Sequence, residues 1–224
     1  MNSSGRILWV AATSAEVNVL GCSFSGSGWF RDQPRDGHDV LVTGVGMTAT
    51  AYHLGRILER ESYRLAINIG LAGTFHPEQI PIGTVVEVVS DSFGDMGAED
   101  KEAFLDVFDL GLTSPDEPPF RGRKVFASGS HGAKSRWPQV NGVTVNTVHG
   151  HGPSIDIFQN RCDALVESME GAAFFYSCAL AGVPSRQIRA ISNVVEPRNR
   201  SAWKLSEALS ALENFLFMYR DDLL

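Results

Sequence analysis

The chain has 224 residues, 43% hydrophobic and 20% charged, with a formal net charge of -7. This composition suits one globular domain with a substantial core, so we predict a single domain over residues 1–224. The negative charge argues against a nucleic-acid or anionic-membrane surface, because both require positive potential. Three widely spaced cysteines fit neither a disulfide framework nor a zinc knuckle, and the N-terminus does not resemble a signal peptide. We therefore expect a cytoplasmic protein with reduced thiols.

Apolar runs along the chain predict a sheet with helices on both faces. Strands are predicted at 7–11, 39–43, 65–70, 83–89, 143–148 and 187–192, because these runs lack strict alternation. Helices are predicted at 48–61 and 170–181, followed by a C-terminal amphipathic helix with one apolar stripe from Leu205 to Leu223. Alternating strands and helices predict an α/β sandwich with a mostly parallel or mixed sheet. The acidic segment 91–122 is interpreted as a lid, a subunit contact or a surface loop without chemistry.

A glycine motif follows the second predicted strand. The run 44–49, Gly-Val-Gly-Met-Thr-Ala, has the G-x-G-x-x-A form that seats a pyrophosphate on a helix N-terminus. However, the motif does not follow the first strand, and the next strand lacks the acidic residue that binds a ribose hydroxyl of NAD. We interpret it as a tight turn that brings the Gly46 backbone near a ribose or nucleophile.

Two motifs in the C-terminal half carry a family resemblance. Residues 168–173, Ser-Met-Glu-Gly-Ala-Ala, place a carboxylate at the start of a helix, and residues 190–193, Ala-Ile-Ser-Asn, end a strand in a polar amide. The pair resembles the signature of the nucleoside phosphorylase/nucleosidase superfamily. The resemblance implies a three-layer α/β/α sandwich with a central mixed sheet, a small-molecule nucleoside substrate, no cofactor and a homo-oligomer of two or more subunits.

The resemblance also implies roles for individual residues. Glu16 follows the first strand, at the sheet edge where open α/β folds bind ligands, and it matches the glutamate that positions water in methylthioadenosine/S-adenosylhomocysteine nucleosidases. Taken alone, such a glutamate is more often a solvated helix residue. Met169 and Glu170 match the pair that holds the ribose, although a helix N-terminal glutamate is also favoured by the macrodipole. The other expected substrate contacts, along the backbone and in the purine pocket, are Gly46, Leu71, Ala72, Gly73, Thr147 and Val148.

The predicted nucleophile is water. In phosphorylases of this superfamily, an arginine and a serine stand where this chain has Asn68 and Leu71, and a phosphate dianion needs such donors. Glu16 would also repel phosphate. A 6-oxopurine nucleoside phosphorylase is therefore disfavoured.

Asn193 stands where adenine-releasing nucleosidases have aspartate. Its amide offers a donor to N7 or O6 and an acceptor for a ring N–H, which suits a 6-oxopurine such as hypoxanthine. It cannot act as a general acid, but it can stabilise the charge that develops on the departing base. A methylthioadenosine/S-adenosylhomocysteine nucleosidase is therefore the disfavoured alternative.

The polar extension 194–204 resembles the futalosine hydrolase branch of the superfamily. Futalosine carries hypoxanthine on its ribose and a benzoate-bearing chain on the 5′ side. Arg198 or Arg200 is predicted to pair with that carboxylate and Trp203 to pack on the ring, although arginines in a polar turn are more often solvated. The branch hydrolyses the ribosyl N-glycosidic bond of futalosine on the route to menaquinone. A silent nucleoside-binding protein is the alternative from another class, disfavoured because both Glu16 and Glu170 are present.

No metal site is predicted. His149 and His151 are two residues apart, but no third ligand follows at a definable spacing, and His131 has no visible partner.

Overall fold

The computed structural model describes residues 5–128 and 136–224, so His131 lies outside the described residues. Short 3-10 turns lie at Asn18–Leu20 and Arg200–Ala202. The strands and helices in chain order are β1 (Arg6–Ala11), α1 (Ser14–Val17), β2 (Gly28–Phe30), β3 (His38–Val42), α2 (Met47–Leu58), β4 (Tyr63–Thr74), β5 (Val85–Phe93), β6 (Gly97–Asp100), β7 (Ala103–Asp106), β8 (Val125–Phe126), β9 (Gln139–Thr144), α3 (Gly152–Gln159), β10 (Val166–Ser168), α4 (Gly171–Leu180), β11 (Ser185–Val194) and α5 (Leu205–Leu223).

The central sheet is mixed, as predicted. Its strand order is β10-β9-β5-β11-β4-β1-β3-β2, with β8 attached to β5. Strand β1 runs parallel to β3 and β4, and β11 runs parallel to β4 but antiparallel to β5. The short strand β10 pairs with β9 on one side and with β4 on the other. Five strands, β4, β11, β5, β9 and β10, therefore form a closed ring at one end of the sheet.

Helices cover both faces of the sheet, which confirms the sandwich. In β1, Leu8 belongs to the core cluster that includes residues of α2 and α4, whereas Trp9 belongs to the cluster that includes residues of α5. Successive strand residues point to opposite faces, so a strand covered on both sides needs apolar residues at every position. A third cluster, including Phe75, Val143 and Phe158, lies beneath α3.

The predicted strands are present with shifted ends, and several short elements were not predicted. The predicted strand 143–148 instead runs from Gln139 to Thr144. Strands β2 and β10 and helix α3 had no sequence prediction, and the segment 91–122 contains the β6–β7 hairpin. The α5 stripe is buried at Leu212, Leu216 and Leu223, but Leu205 is 43% exposed.

Within 5–128 and 136–224, no helix is both long enough and apolar enough to cross a membrane.

Candidate active site

An open cavity of about 380 Å³ lies at the carboxyl ends of β1 and β11, beside the last residues of β4. It brings together nine of the residues predicted from the sequence with residues that sequence reasoning did not assign to a substrate site. The predicted residues in its lining are Glu16, Leu71, Ala72, Gly73, Val148, Met169, Glu170, Asn193 and Trp203. The further polar residues in its lining are Thr13, His149, Glu167, Ser168 and Ser192.

Glu16 is held in place by the start of helix α1. The Thr13 hydroxyl accepts the Glu16 N–H, and one Glu16 carboxylate oxygen accepts both the Thr13 N–H at 2.9 Å and its hydroxyl at 2.8 Å. This reciprocal arrangement is a capping box. The other oxygen accepts the backbone N–H of Leu71 at 3.2 Å, so β4 and α1 together fix the carboxylate.

Burial changes the acidity of Glu16. Its pKa is raised above the ordinary glutamate value, mainly because burial penalises the charged form, and the negative charge of Glu170 adds to the increase. The cation of Arg189 and the hydrogen bond from Thr13 act in the opposite direction. A carboxylate with a raised pKa is a stronger base, which suits a group that takes a proton from water.

Gly70 leaves the space that Glu16 and Arg189 occupy. A Cβ atom at this position would lie 2.7 Å from a Glu16 carboxylate oxygen and would also meet the Arg189 guanidinium. Any side chain here would displace the buried carboxylate or its counter-ion.

Glu170 immediately precedes helix α4 and faces the same cavity. One carboxylate oxygen accepts the N–H of Gly46 at 3.0 Å, and the other lies 3.9 Å from the guanidinium of Arg189. Gly46 has a φ of 96°, a conformation that favours glycine. The glycine motif therefore positions Glu170, and Gly46 is not itself part of the cavity lining.

Arg189 is a site residue that sequence reasoning missed. Its side chain is buried, and it donates to Gln187 at 2.9 Å and 3.1 Å and to the Asn68 side-chain oxygen in a close contact. It supplies positive charge to both Glu16 and Glu170. The sequence did contain an indication of this role: Arg189 is the single charged residue in the predicted buried strand 187–192, and a buried charge needs a partner.

Asn193 is oriented by its neighbour Ser192. The Ser192 hydroxyl donates to the Asn193 carbonyl oxygen at 2.9 Å, and the amide nitrogen donates to the backbone oxygen of Val194 at 3.1 Å. These contacts use one of the two amide hydrogens and one oxygen lone pair. A donor and an acceptor therefore remain for a ligand.

Besides Gly46, three predicted contacts lie outside the cavity lining. Thr147 is exposed, because β9 ends at Thr144 and the chain turns so that Val148 and His149 line the cavity; its role in a purine pocket stays a prediction. Arg198 and Arg200 are also exposed. The Arg198 guanidinium lies 5.7 Å from the Trp203 ring centroid, which places it beside the cavity rather than within it.

The arrangement suits cleavage of a bond between a sugar and a planar base. Two buried carboxylates, Glu16 and Glu170, can stabilise positive charge, and Asn193 can accept the negative charge of a leaving group. In the described parts of the chain, no three His, Cys, Asp or Glu side chains are grouped as a metal ion would require.

Comparisons with known proteins agree with this geometry. The family model of the phosphorylase superfamily matches residues 36–216. A futalosine hydrolase of Streptomyces coelicolor is 33% identical over 92% of both chains, and one of Thermus thermophilus is 28% identical over 79% of this chain and 78% of that protein.

Solved structures show the same fold. The futalosine hydrolase of Helicobacter pylori has a TM-score of 0.78 at 14% identity and covers 98% of both chains. An S-adenosylhomocysteine nucleosidase of Streptococcus pyogenes has a TM-score of 0.77 at 18% identity, covering 100% of this chain and 99% of that chain. The family model and the 33% identical relative show that the chain belongs to the phosphorylase superfamily and, within it, to the futalosine hydrolase family.

Proposed function

We propose that this protein hydrolyses the N-glycosidic bond of futalosine and releases hypoxanthine and dehypoxanthine futalosine. The observation that carries the proposal is the grouping of Glu16, Glu170 and Asn193 in one cavity, in a chain that is 33% identical to a futalosine hydrolase. The two carboxylates supply negative charge that stabilises the positive charge developing on the sugar, and the Asn193 amide suits a 6-oxopurine.

In the proposed reaction, the C–N bond stretches and C1′ develops oxocarbenium character. The Glu170 carboxylate uses lone pairs that Gly46 does not occupy to accept hydrogen bonds from the ribose hydroxyls. Glu16 takes a proton from water, whose oxygen bonds to C1′ as the base departs with the bonding electrons. The hypoxanthine anion then takes a proton from solvent, and Glu16 returns its proton to solvent. The free amide hydrogen of Asn193 stabilises the negative charge on the base.

Water is favoured over phosphate by the charge of the cavity. Among the described residues, its lining contains no lysine or arginine. The buried cation Arg189 is already engaged by Asn68, Gln187 and Glu170. A phosphate dianion placed beside Glu16 would therefore meet negative charge without a free cationic donor.

A base-release assay tests the reaction. The purified protein is incubated with futalosine, inosine or methylthioadenosine, with and without phosphate, and the free base is followed by chromatography. We expect hypoxanthine from futalosine at a rate independent of phosphate. Release from inosine that requires phosphate would identify a phosphorylase, and adenine from methylthioadenosine would identify the other nucleosidase activity.

The 5′ benzoate of futalosine is proposed to pair with Arg198. The Arg198 guanidinium lies 5.7 Å from the ring centroid of Trp203, which lines the cavity. A benzoate ring on Trp203 would place its carboxylate within reach of this cation. Arg200 lies in the adjacent 3-10 turn and is also exposed, so it provides a control with the same charge.

Arg198→Ala is expected to lower kcat/KM for futalosine about tenfold, which corresponds to the free energy of one charge-assisted hydrogen bond. Inosine lacks the benzoate, so its rate should stay unchanged. Arg200→Ala should affect neither substrate. Steady-state kinetics of both variants with both nucleosides check this. A futalosine preference that survives Arg198→Ala would show that the benzoate carboxylate of futalosine binds to another residue.

The protein is further proposed to act in the cytoplasm, on the futalosine route to menaquinone, as an oligomer of two or more subunits. A second cavity of about 690 Å³ lies between α2, α4 and the segment 93–120. Leu112, which lines it, is 73% exposed, and Tyr52 of α2 is 58% exposed. Val45, 58% exposed, also lines the substrate cavity. A second subunit on this apolar face would cover Val45 and complete the substrate cavity.

Tyr52→Glu is expected to shift the protein toward monomers, because it places a charge on this face. Sedimentation velocity of the wild type and the variant measures the change. Phe217→Glu serves as the control, since Phe217 is 90% exposed on α5, on the other side of the sheet. A wild-type monomer at assay concentration would contradict the proposal.

A further inference from the structure

A histidine–carboxylate pair lines the cavity and has no role in the reaction described above. The Nδ1 atom of His149 makes a close contact with a Glu167 carboxylate oxygen, and the other oxygen accepts the backbone N–H of His149 at 3.0 Å. Both side chains are well enclosed, since the His149 side chain is 16% exposed and that of Glu167 is 3% exposed. Both residues line the same cavity as Asn193.

Strand register fixes the position of this pair relative to Asn193. Gly73 of β4 pairs with Glu167 of β10 on one side and with Asn193 of β11 on the other. Two neighbouring strand spacings separate the backbones of Glu167 and Asn193, which amounts to about 10 Å. A Cβ at Gly73 would lie 2.9 Å from the Asn193 amide nitrogen, so this glycine keeps the space between them open.

The contacts of Glu167 determine which nitrogen of His149 carries the proton. Beside an ionised carboxylate, which only accepts hydrogen bonds, a neutral imidazole carries its proton on Nδ1 and donates it to that carboxylate. In the neutral ring, Nε2 is then an acceptor. Within the described residues, the hydrogen bonds of His149 are made by its backbone N–H and Nδ1 and none by Nε2, and the ring packs against Phe158 at a centroid distance of 4.3 Å. An oriented acceptor is thus available to a bound base.

We propose that His149 Nε2 accepts a hydrogen bond from the ring N1–H of a 6-oxopurine, with Glu167 as the positioning residue. The inference rests on the proposed function. On a 6-oxopurine, N7, O6 and N1–H follow one another around the rim of the ring system, so a base whose N7 or O6 meets Asn193 turns N1–H toward the next polar group. Adenine carries a lone pair at N1, which would face the lone pair of Nε2. The pair therefore selects hypoxanthine over adenine as the leaving base.

The first test removes the acceptor but keeps a ring against Phe158. The dissociation constants of hypoxanthine and adenine are measured by titration calorimetry for the wild type and for His149→Phe. We expect the wild type to bind hypoxanthine more tightly than adenine. In the variant, the ratio of the two dissociation constants should fall about tenfold, because the hydrogen bond to hypoxanthine and the repulsion of adenine N1 are both lost. An unchanged ratio in His149→Phe, or a wild type that binds neither base, would overturn the proposal.

The second test reverses the tautomer. In Glu167→Gln, the amide oxygen accepts the backbone N–H of His149, so the amide nitrogen donates to Nδ1 and moves the ring proton to Nε2. Nε2 becomes a donor that matches N1 of adenine. Adenine should bind about tenfold more tightly and hypoxanthine more weakly. A purely structural role would weaken both bases together, and that result would overturn the positioning role of Glu167.

A matched control exists in the exposed pair His76 and Glu78. Its ring Nδ1 lies 3.3 Å from the Glu78 carboxylate, and neither residue lines the cavity. Glu78→Gln should leave both dissociation constants unchanged. Turnover of futalosine by the wild type is measured in parallel: base selectivity without turnover would refute the proposed function alone, and turnover without a His149-dependent preference would refute this inference alone.

Discussion

Glu16→Gln is expected to lower kcat for futalosine hydrolysis by about 10²–10⁴-fold, the range for loss of a general base. The amide has nearly the same shape as the carboxylate but cannot accept a proton from water. The variant should still bind hypoxanthine, because its Asn193 and His149 are unchanged. Single-turnover assays, together with hypoxanthine titration, separate the loss of chemistry from a loss of binding.

The fold should survive this substitution. The oxygen of the introduced amide can still accept from Thr13, while the Leu71 N–H loses its acceptor, which costs about 1–3 kcal/mol. Removal of a buried charge whose pKa is raised by burial offsets part of this loss. Circular dichroism and urea unfolding check the structure. A folded variant with wild-type turnover would exclude Glu16 as the base.

The pH profile provides an independent measure of Glu16. The residue must be ionised to accept a proton, so kcat/KM falls as the pH falls through its pKa. Because burial raises that pKa, the acid limb should lie above the ordinary glutamate value of about 4.3. The residual rate of Glu16→Gln should lack this limb, and a limb of unchanged position in the variant would assign it to another group.

The sequence predicted the parts of the site that lie in local motifs. Glu16 follows a strand, Glu170 begins a helix, and Asn193 lies near the end of β11, so each could be placed from its immediate neighbours. The mixed sheet and its two helical layers were also predicted, because strands such as β1 are apolar on both faces. Each of these features depends on short-range pattern.

The missed parts depend on strand register. Arg189 contacts Asn68 across 121 residues, and no local pattern reports that contact. Strand β10 is three residues long and contains Glu167 and Ser168, so it lacks an apolar strand pattern and forms through pairing with β4 and β9. The cavity lining contains His149, for which the sequence predicted no substrate contact, and does not contain Thr147. Long-range pairing, rather than local propensity, therefore formed the side of the cavity that contains Glu167 and Ser168.

Arg189→Met is expected to lower the free energy of unfolding by about 3–5 kcal/mol near neutral pH, as loss of one partner from a buried ion pair does. The guanidinium is the cation beside Glu16 and Glu170, and it also satisfies the side-chain oxygens of Asn68 and Gln187. Without it, two buried carboxylates face each other uncompensated. Urea unfolding measures the loss.

Two comparisons make the assignment specific to charge compensation. Addition of Glu170→Gln to Arg189→Met should recover part of the lost stability, because it removes one of the two uncompensated carboxylates. Arg186→Met is the matched control on the same strand: Arg186 contacts buried Glu87 at 2.8 Å, but Trp137 and Gln139 also donate to that carboxylate. Its loss should therefore be smaller and leave turnover intact. Equal losses in both single variants, with no recovery in the double variant, would show that Arg189 acts through packing rather than through its charge.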